Sequence, residues 1–86
     1  MSVMIIYRSA SEHERAVSEF LHDFEKRTTQ KLVEVDPDTQ EGANICSLYD
    51  IVEYPTVIAT TIDGQLRNMW RGVPLPTIDE ISYYVQ

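Results

Sequence analysis

The stretch from Tyr49 to Val57 constrains this chain most, because it joins a helical pattern to a buried strand through a proline. Pro55 stands where the strand begins, a position at which the N–H that proline lacks is tolerated. The apolar run Val57-Ile58-Ala59 continues the strand. The stretch therefore predicts a helix-to-strand connection in which the proline ring fixes the backbone φ angle.

The chain length and composition predict one globular domain over residues 1–86. A chain of 86 residues suits a single core, and a hydrophobic content of 43% is ordinary for a globular protein. No apolar run approaches the length that crosses a bilayer. The apolar start, from Met1 to Tyr7, has neither the basic segment nor the cleavage site of a secretory signal, so we expect a cytoplasmic location.

The charge and the cysteine count narrow the expected partners. A net charge of −7 disfavours nucleic acid and anionic membrane, because both are bound through basic surfaces. Cys46 is the only cysteine in the sequence, so no disulfide can form within it. Neither histidine has a neighbouring cysteine or histidine at a spacing typical of zinc sites. We therefore expect no metal and no resident cofactor.

Hydrophobic periodicity predicts the element order β-α-β-α-β-β-α, an α/β fold. Two β-α-β crossovers predict that the first three strands are parallel, and Asp63-Gly64 predicts a hairpin that adds an antiparallel fourth strand. The result is a four-stranded mixed sheet with helices on both faces. The strands are expected at residues 3–7, 32–36, 55–62 and 65–71; the helices are expected to begin at Ser11, at a cap on Asp38 or Thr39, and at Pro76-Thr77.

Ser11 and Glu14 have the Ser-x-x-Glu spacing of a capping box. In such a box the hydroxyl and the carboxylate each accept a backbone N–H that the first helical turn leaves unpaired. The apolar positions that follow, Val17, Phe20 and Phe24, lie on one helical stripe. The pattern therefore predicts a first helix that begins at Ser11 and is capped by its side chain.

Several segments of the chain resemble the thioredoxin-like superfamily, which includes the thioredoxins and glutaredoxins. Tyr-x-Ile-x-x-x-Pro-Thr, formed here by Tyr49, Ile51, Pro55 and Thr56, resembles the segment around that superfamily's cis-proline. The resemblance implies a thioredoxin-like fold over nearly the whole chain and a cis Tyr54–Pro55 bond. Further matching segments are residues 6–11, before the first helix, residues 33–36, Asp63-Gly64 and Trp70-Arg71-Gly72.

The chain departs from that superfamily at its redox motif. The positions of the Cys-x-x-Cys pair fall on Ser11 and Glu14, or on Glu12 and Arg15 if the alignment shifts by one residue. Dithiol exchange needs a thiolate nucleophile and a second, resolving thiol, and neither pair of positions supplies them. We therefore expect no dithiol oxidoreductase activity.

The resemblance implies two alternative functions. The first is a redox-inactive module that binds a protein or an extended peptide in the groove beside the proline. The second is a thiol-disulfide oxidoreductase that works through Cys46 alone, with glutathione as a weakly supported partner. Against this second function, a buried free cysteine commonly packs as a small hydrophobic residue, and the position of Cys46 beside Ile45 and Leu48 favours that role. The residues expected to line the groove are Ser9, Ala10, Ser11, Tyr54, Pro55, Arg71, Gly72 and Val73.

Overall fold

The structure is a computed structural model that describes residues 2–85, and its elements follow the predicted order. Short polar or turn-forming segments separate the elements. The elements are β1 (Ser2–Ile6), α1 (Glu14–Thr28), β2 (Val33–Val35), α2 (Gln40–Tyr49), β3 (Thr56–Thr60), β4 (Leu66–Arg71) and α3 (Ile78–Ser82). β2, β3 and β4 are shorter than the strands expected from the sequence, whereas β1 has the expected length.

The four strands form one mixed sheet in the order β2-β1-β3-β4. β1 is parallel to β2 but antiparallel to β3, with Ile5 opposite Val57. The prediction that the first three strands are parallel is therefore wrong. A buried apolar run has the same pattern in either orientation, so periodicity could not decide between them. Residues 50–55, which begin with Asp50 at a φ of 56°, connect α2 to β3.

Helices cover both faces of the sheet, as the sequence predicts. On one face, Val17 and Phe24 of α1 and Ile81 of α3 pack in one cluster with inward residues of β1 and β3. On the other face, Cys46 of α2 packs with residues that include Ile6 and Ile58. All five residues of β3 are buried, and each aliphatic side chain buried in this way contributes roughly 1.5–3 kcal/mol.

The predicted capping box at Ser11 and Glu14 is wrong. α1 begins three residues later than expected, at Glu14, and its N-cap residue, His13, makes no side-chain cap hydrogen bond. The Ser11 hydroxyl instead donates to the carbonyl oxygen of Arg8 at 2.6 Å, so it closes a turn before the helix. The same chemistry that favours serine at a cap also favours it in such a turn, and the spacing alone cannot separate the two.

The other two helices are capped by threonines. Thr39, one of the two residues expected to cap α2, accepts a hydrogen bond from the backbone N–H of Gly42 at 3.0 Å. Thr77 and Glu80 form a reciprocal capping box at the start of α3. Both threonines have extended backbone angles, which are usual for an N-cap residue.

Gly42 packs so closely on the preceding loop that no side chain fits. A Cβ atom at this position would overlap the carbonyl oxygen of Asp36 and approach the Thr39 hydroxyl.

We expect Gly42→Ala to lower the free energy of unfolding by about 1–3 kcal/mol, although alanine is the better helix former. Urea denaturation measures the change. Ser47→Ala, at an exposed position of the same helix, is the control and should stay within about 0.5 kcal/mol of the wild type. A Gly42→Ala variant as stable as the wild type would show that α2 moves freely on this loop.

Candidate binding cleft

An open cleft of about 530 Å³ lies where the start of α1 meets the connection that leads into β3. Residues before α1 and in its first turn form one side of the cleft. The connection that leads into β3 forms the second side, and the loop after β4 forms the third. Because three segments that are distant in the sequence meet here, the cleft depends on the tertiary fold. Its lining residues are Glu12, His13, Ala16, Tyr54, Pro55 and Val73. We call this cavity the Tyr54 cleft.

Hydrogen bonds fix the backbone on the β3 side of the Tyr54 cleft. The carbonyl oxygen of Pro55 accepts the N–H of Gly72 at 2.8 Å, and the Thr56 hydroxyl donates to the carbonyl oxygen of Glu53 at 2.7 Å. Gly72 has a φ of 71°, a left-handed conformation that favours glycine. Two peptide bonds here are cis, Tyr54–Pro55 and Val73–Pro74; the resemblance implies only the first.

Tyr54 has charged and polar partners on two sides. The Arg8 guanidinium lies 4.9 Å from the centre of the Tyr54 ring, within the range of a cation–π interaction. Arg8 also donates two hydrogen bonds to the Asp38 carboxylate, at 3.1 and 3.2 Å. Such an exposed ion pair contributes little stability, so its main effect is to position Arg8 over the ring.

The Tyr54 hydroxyl points to the sheet's α2 face, where it donates to the Sγ atom of Cys46 at 3.9 Å. Burial, and then this hydrogen bond, raise the pKa of Tyr54, while the charge of Arg8 opposes the shift. Cys46 is 9% exposed and packs among apolar side chains. The one thiol is therefore a packing residue behind Tyr54, outside the set of side chains that line the cleft.

Two further hydrogen bonds position the segment between β1 and α1. The backbone N–H of Arg8 donates to Nε2 of His13 at 3.3 Å, and the Tyr7 hydroxyl donates to the Glu34 carboxylate at 2.6 Å. The His13 ring also contacts the Tyr7 ring edge to face, with centroids 6.4 Å apart. His13 thus links the end of β1 to the start of α1 while it lines the cleft.

The structure divides the predicted groove residues into two groups. Tyr54, Pro55 and Val73 line the Tyr54 cleft. The other residues named from the sequence lie outside its lining: Ser9, Ala10, Ser11, Arg71 and Gly72. Glu12, His13 and Ala16 line the cleft but were missed, because the sequence placed the start of α1 three residues too early. A helix that begins at Glu14 brings these three side chains to the cleft wall.

The lining of the Tyr54 cleft is mixed in character. It offers apolar surface, one carboxylate, one imidazole and one phenol ring, but no sulfur atom. Across residues 2–85, no cluster of three or more histidine, cysteine, aspartate or glutamate side chains could hold a metal ion. No helix in that range is long and apolar enough to cross a membrane.

The structure of thioredoxin 1 from the thermophilic eubacterium Thermosipho africanus TCF52B superposes on this chain with a TM-score of 0.66. The match covers 99% of this chain and 90% of that one. The chain has a thioredoxin-like fold. Sequence identity over the match is 13%, so the likeness describes the fold alone. No protein-family model matches the sequence, and no curated protein sequence matches it.

Tyr7 provides a pH test of the segment that leads to the cleft. Its hydrogen bond to Glu34, with burial and the charge of Glu34, raises the Tyr7 pKa from 10.0 to about 12. The folded state therefore favours the neutral phenol. This contribution to stability is fully present below pH 10.0 and is lost as the pH rises to about 12.

We expect Tyr7→Phe to remove that part of the alkaline loss of stability, measured by urea denaturation across the same pH range. Glu34→Gln keeps an acceptor but removes the charge, so it should lower the Tyr7 pKa in an ultraviolet titration of tyrosinate. If the alkaline slope is the same in the wild type and in Tyr7→Phe, the Tyr7–Glu34 hydrogen bond does not form in solution.

Proposed function

We propose that this thioredoxin-like domain binds an extended segment of a partner protein in the Tyr54 cleft and does not catalyse dithiol exchange. The observation that carries the proposal is the cleft itself, an open volume of about 530 Å³ over Pro55 whose lining holds no thiol. The cleft is wide, and its walls come from three fixed segments. A surface of this kind suits a partner chain laid across it.

The backbone beside Pro55 supports an extended partner. Within residues 2–85, the N–H and C=O groups of Tyr54 make no hydrogen bond. An extended peptide can pair with such groups in the manner of an added strand, which provides affinity that does not depend on the peptide sequence. The neighbouring carbonyl of Pro55 is already paired with Gly72, so the free groups are confined to one short stretch.

The side chains of the cleft support selection of an apolar residue on the partner. Pro55 is buried as the floor, while Val73 is 64% exposed at the rim. A partner side chain of moderate size would cover Val73 and Ala16 and gain roughly 25 cal/mol for each Å² of apolar surface removed from water. Glu12 and His13 border the same surface and supply polar contacts at its edge.

Val73→Asp tests the apolar part of the cleft. Peptides selected from a random phage-displayed library on the wild-type domain are the probes, and their affinities are measured by fluorescence anisotropy. A carboxylate at the rim must lose water when a peptide covers it, so we expect binding to weaken about tenfold or more. Ile62→Asp is the matched control, because Ile62 is also a β-branched residue and is 97% exposed in the β3–β4 turn. Equal affinities for the two variants would place the binding surface elsewhere.

The alternative oxidoreductase function is tested at Cys46. A thiol that is buried behind the Tyr54 hydroxyl cannot attack a disulfide unless the local structure opens. We expect no insulin reduction above background, with or without glutathione, from either the wild type or Cys46→Ser. A thioredoxin with an intact dithiol serves as the positive control. Turnover by the wild type that Cys46→Ser abolishes would replace the binding proposal with the enzymatic one.

A further inference from the structure

A second cavity, of about 240 Å³, lies between β4 and α3 on the opposite edge of the sheet from β2. Its lining consists of three aromatic rings, one carboxylate and one amide: Asn68, Trp70, Glu80, Tyr83 and Tyr84. We call it the aromatic pocket, and it shares no lining residue with the Tyr54 cleft. We propose that the aromatic pocket binds an ammonium group, presented by a lysine side chain of a partner protein.

The rings of the aromatic pocket stand at steep angles to one another. Trp70 and Tyr84 meet edge to face, with centroids 5.6 Å apart and planes inclined by 74°. Tyr83 and Tyr84 meet in the same way at 5.0 Å and 84°. All three residues line the pocket, so a compact cation that enters it lies close to several π systems, and aromatic rings attract ammonium groups electrostatically. A planar guanidinium would be better served by one flat stacking surface.

Glu80 places a negative charge at the aromatic pocket. Its carboxylate accepts hydrogen bonds from the backbone N–H and the hydroxyl of Thr77 and, at 3.3 Å, from the Trp70 indole N–H. These donors lower the pKa of Glu80, the Thr77 backbone N–H most strongly. The carboxylate is therefore ionised at neutral pH and fixed beside the rings, where it attracts a cation.

Asn68 stiffens the aromatic pocket and limits how a partner can approach it. Its side-chain N–H donates to the Tyr84 hydroxyl at 3.1 Å, which fixes that ring. Its side-chain oxygen accepts the backbone N–H of Met69 at 2.8 Å. β4 is an edge strand, and this contact occupies an N–H that an added strand would need. A single side chain that reaches into the pocket therefore fits better than a strand that pairs along β4.

Size and charge favour lysine as the occupant. The pocket has a volume of about 240 Å³, which is several times the roughly 30 Å³ that one water molecule occupies in the liquid. An ammonium group and part of its alkyl stem therefore fit in it. Tyr83 is 66% exposed and offers apolar surface to that stem. The net charge of −7 attracts a basic partner over a distance and adds to the local effect of Glu80.

Trp70 allows a direct test, because it is the only tryptophan in the chain and it lines the aromatic pocket. Three peptides of one sequence are titrated against its fluorescence: one with lysine, one with trimethyl-lysine and one with acetyl-lysine. We expect the first two to change the emission and to bind, since both keep the positive charge. Acetyl-lysine is neutral and should bind at least tenfold more weakly. Equal binding of acetyl-lysine, or no binding of any peptide, would overturn the proposal.

Variants separate the contributions of the rings and of the charge. Tyr83→Ala should weaken lysine-peptide binding about 5- to 30-fold, whereas Tyr83→Phe keeps the π face and should bind like the wild type. Glu80→Gln should weaken binding and reduce its dependence on salt. If Tyr83→Ala binds as the wild type does, the rings do not form the site.

If free lysine amide binds as tightly as the peptide, the occupant is a small molecule and the partner-protein source is wrong. Val73→Asp should leave lysine binding unchanged, so failure here is distinguishable from failure of the Tyr54 cleft.

Discussion

The antiparallel pairing of β1 with β3 is the interaction on which the rest of the structure depends. β3 is buried along its whole length, and both helical layers pack on the two central strands. Its register, with Ile6 opposite Thr56, also sets where the chain enters and leaves the sheet. The Tyr54–Pro55 connection ends at that pair, and the segment toward α1 starts there. The Tyr54 cleft thus lies at the end of the sheet that this pairing sets, where these two segments meet the loop after β4.

The sequence predicted the element order because that order depends on local apolar periods and on turn residues that act over short distances. The thioredoxin-like fold was predicted from the resemblance of the Tyr49–Thr56 segment and a few others to that superfamily. The sequence did not predict the direction of β3, since a buried strand has the same pattern in either orientation. The start of α1 was missed for a related reason. Ser11 can bond to a helix N-terminus or to the Arg8 carbonyl, and only the tertiary positions of residues 8 to 13 decide between them.

The two candidate sites differ in how far the sequence could reveal them. The spacing of Tyr49, Ile51, Pro55 and Thr56 resembles the cis-proline segment of the thioredoxin-like superfamily, and that resemblance implies a groove beside Pro55. The aromatic pocket has no such motif, because its residues come from β4, from α3 and from the two tyrosines that follow α3, and they meet only when α3 packs on the sheet. Glu80 illustrates this: one carboxylate caps its own helix, accepts the Trp70 indole N–H and adds charge to a cavity. Its spacing from Thr77 indicates only the first of these roles.

The position of β1 has a consequence for how the protein is made. β1 is synthesised before the other three strands, yet it lies in the interior of the sheet between β2 and β3. Until β3 has left the ribosome, a β1–β2 pair would expose a strand edge and the apolar side chains that β3 later covers, among them Ile5. Unpaired edges of this kind are where nascent chains associate wrongly. The nascent chain is therefore exposed to this hazard until β3, its last central strand, emerges.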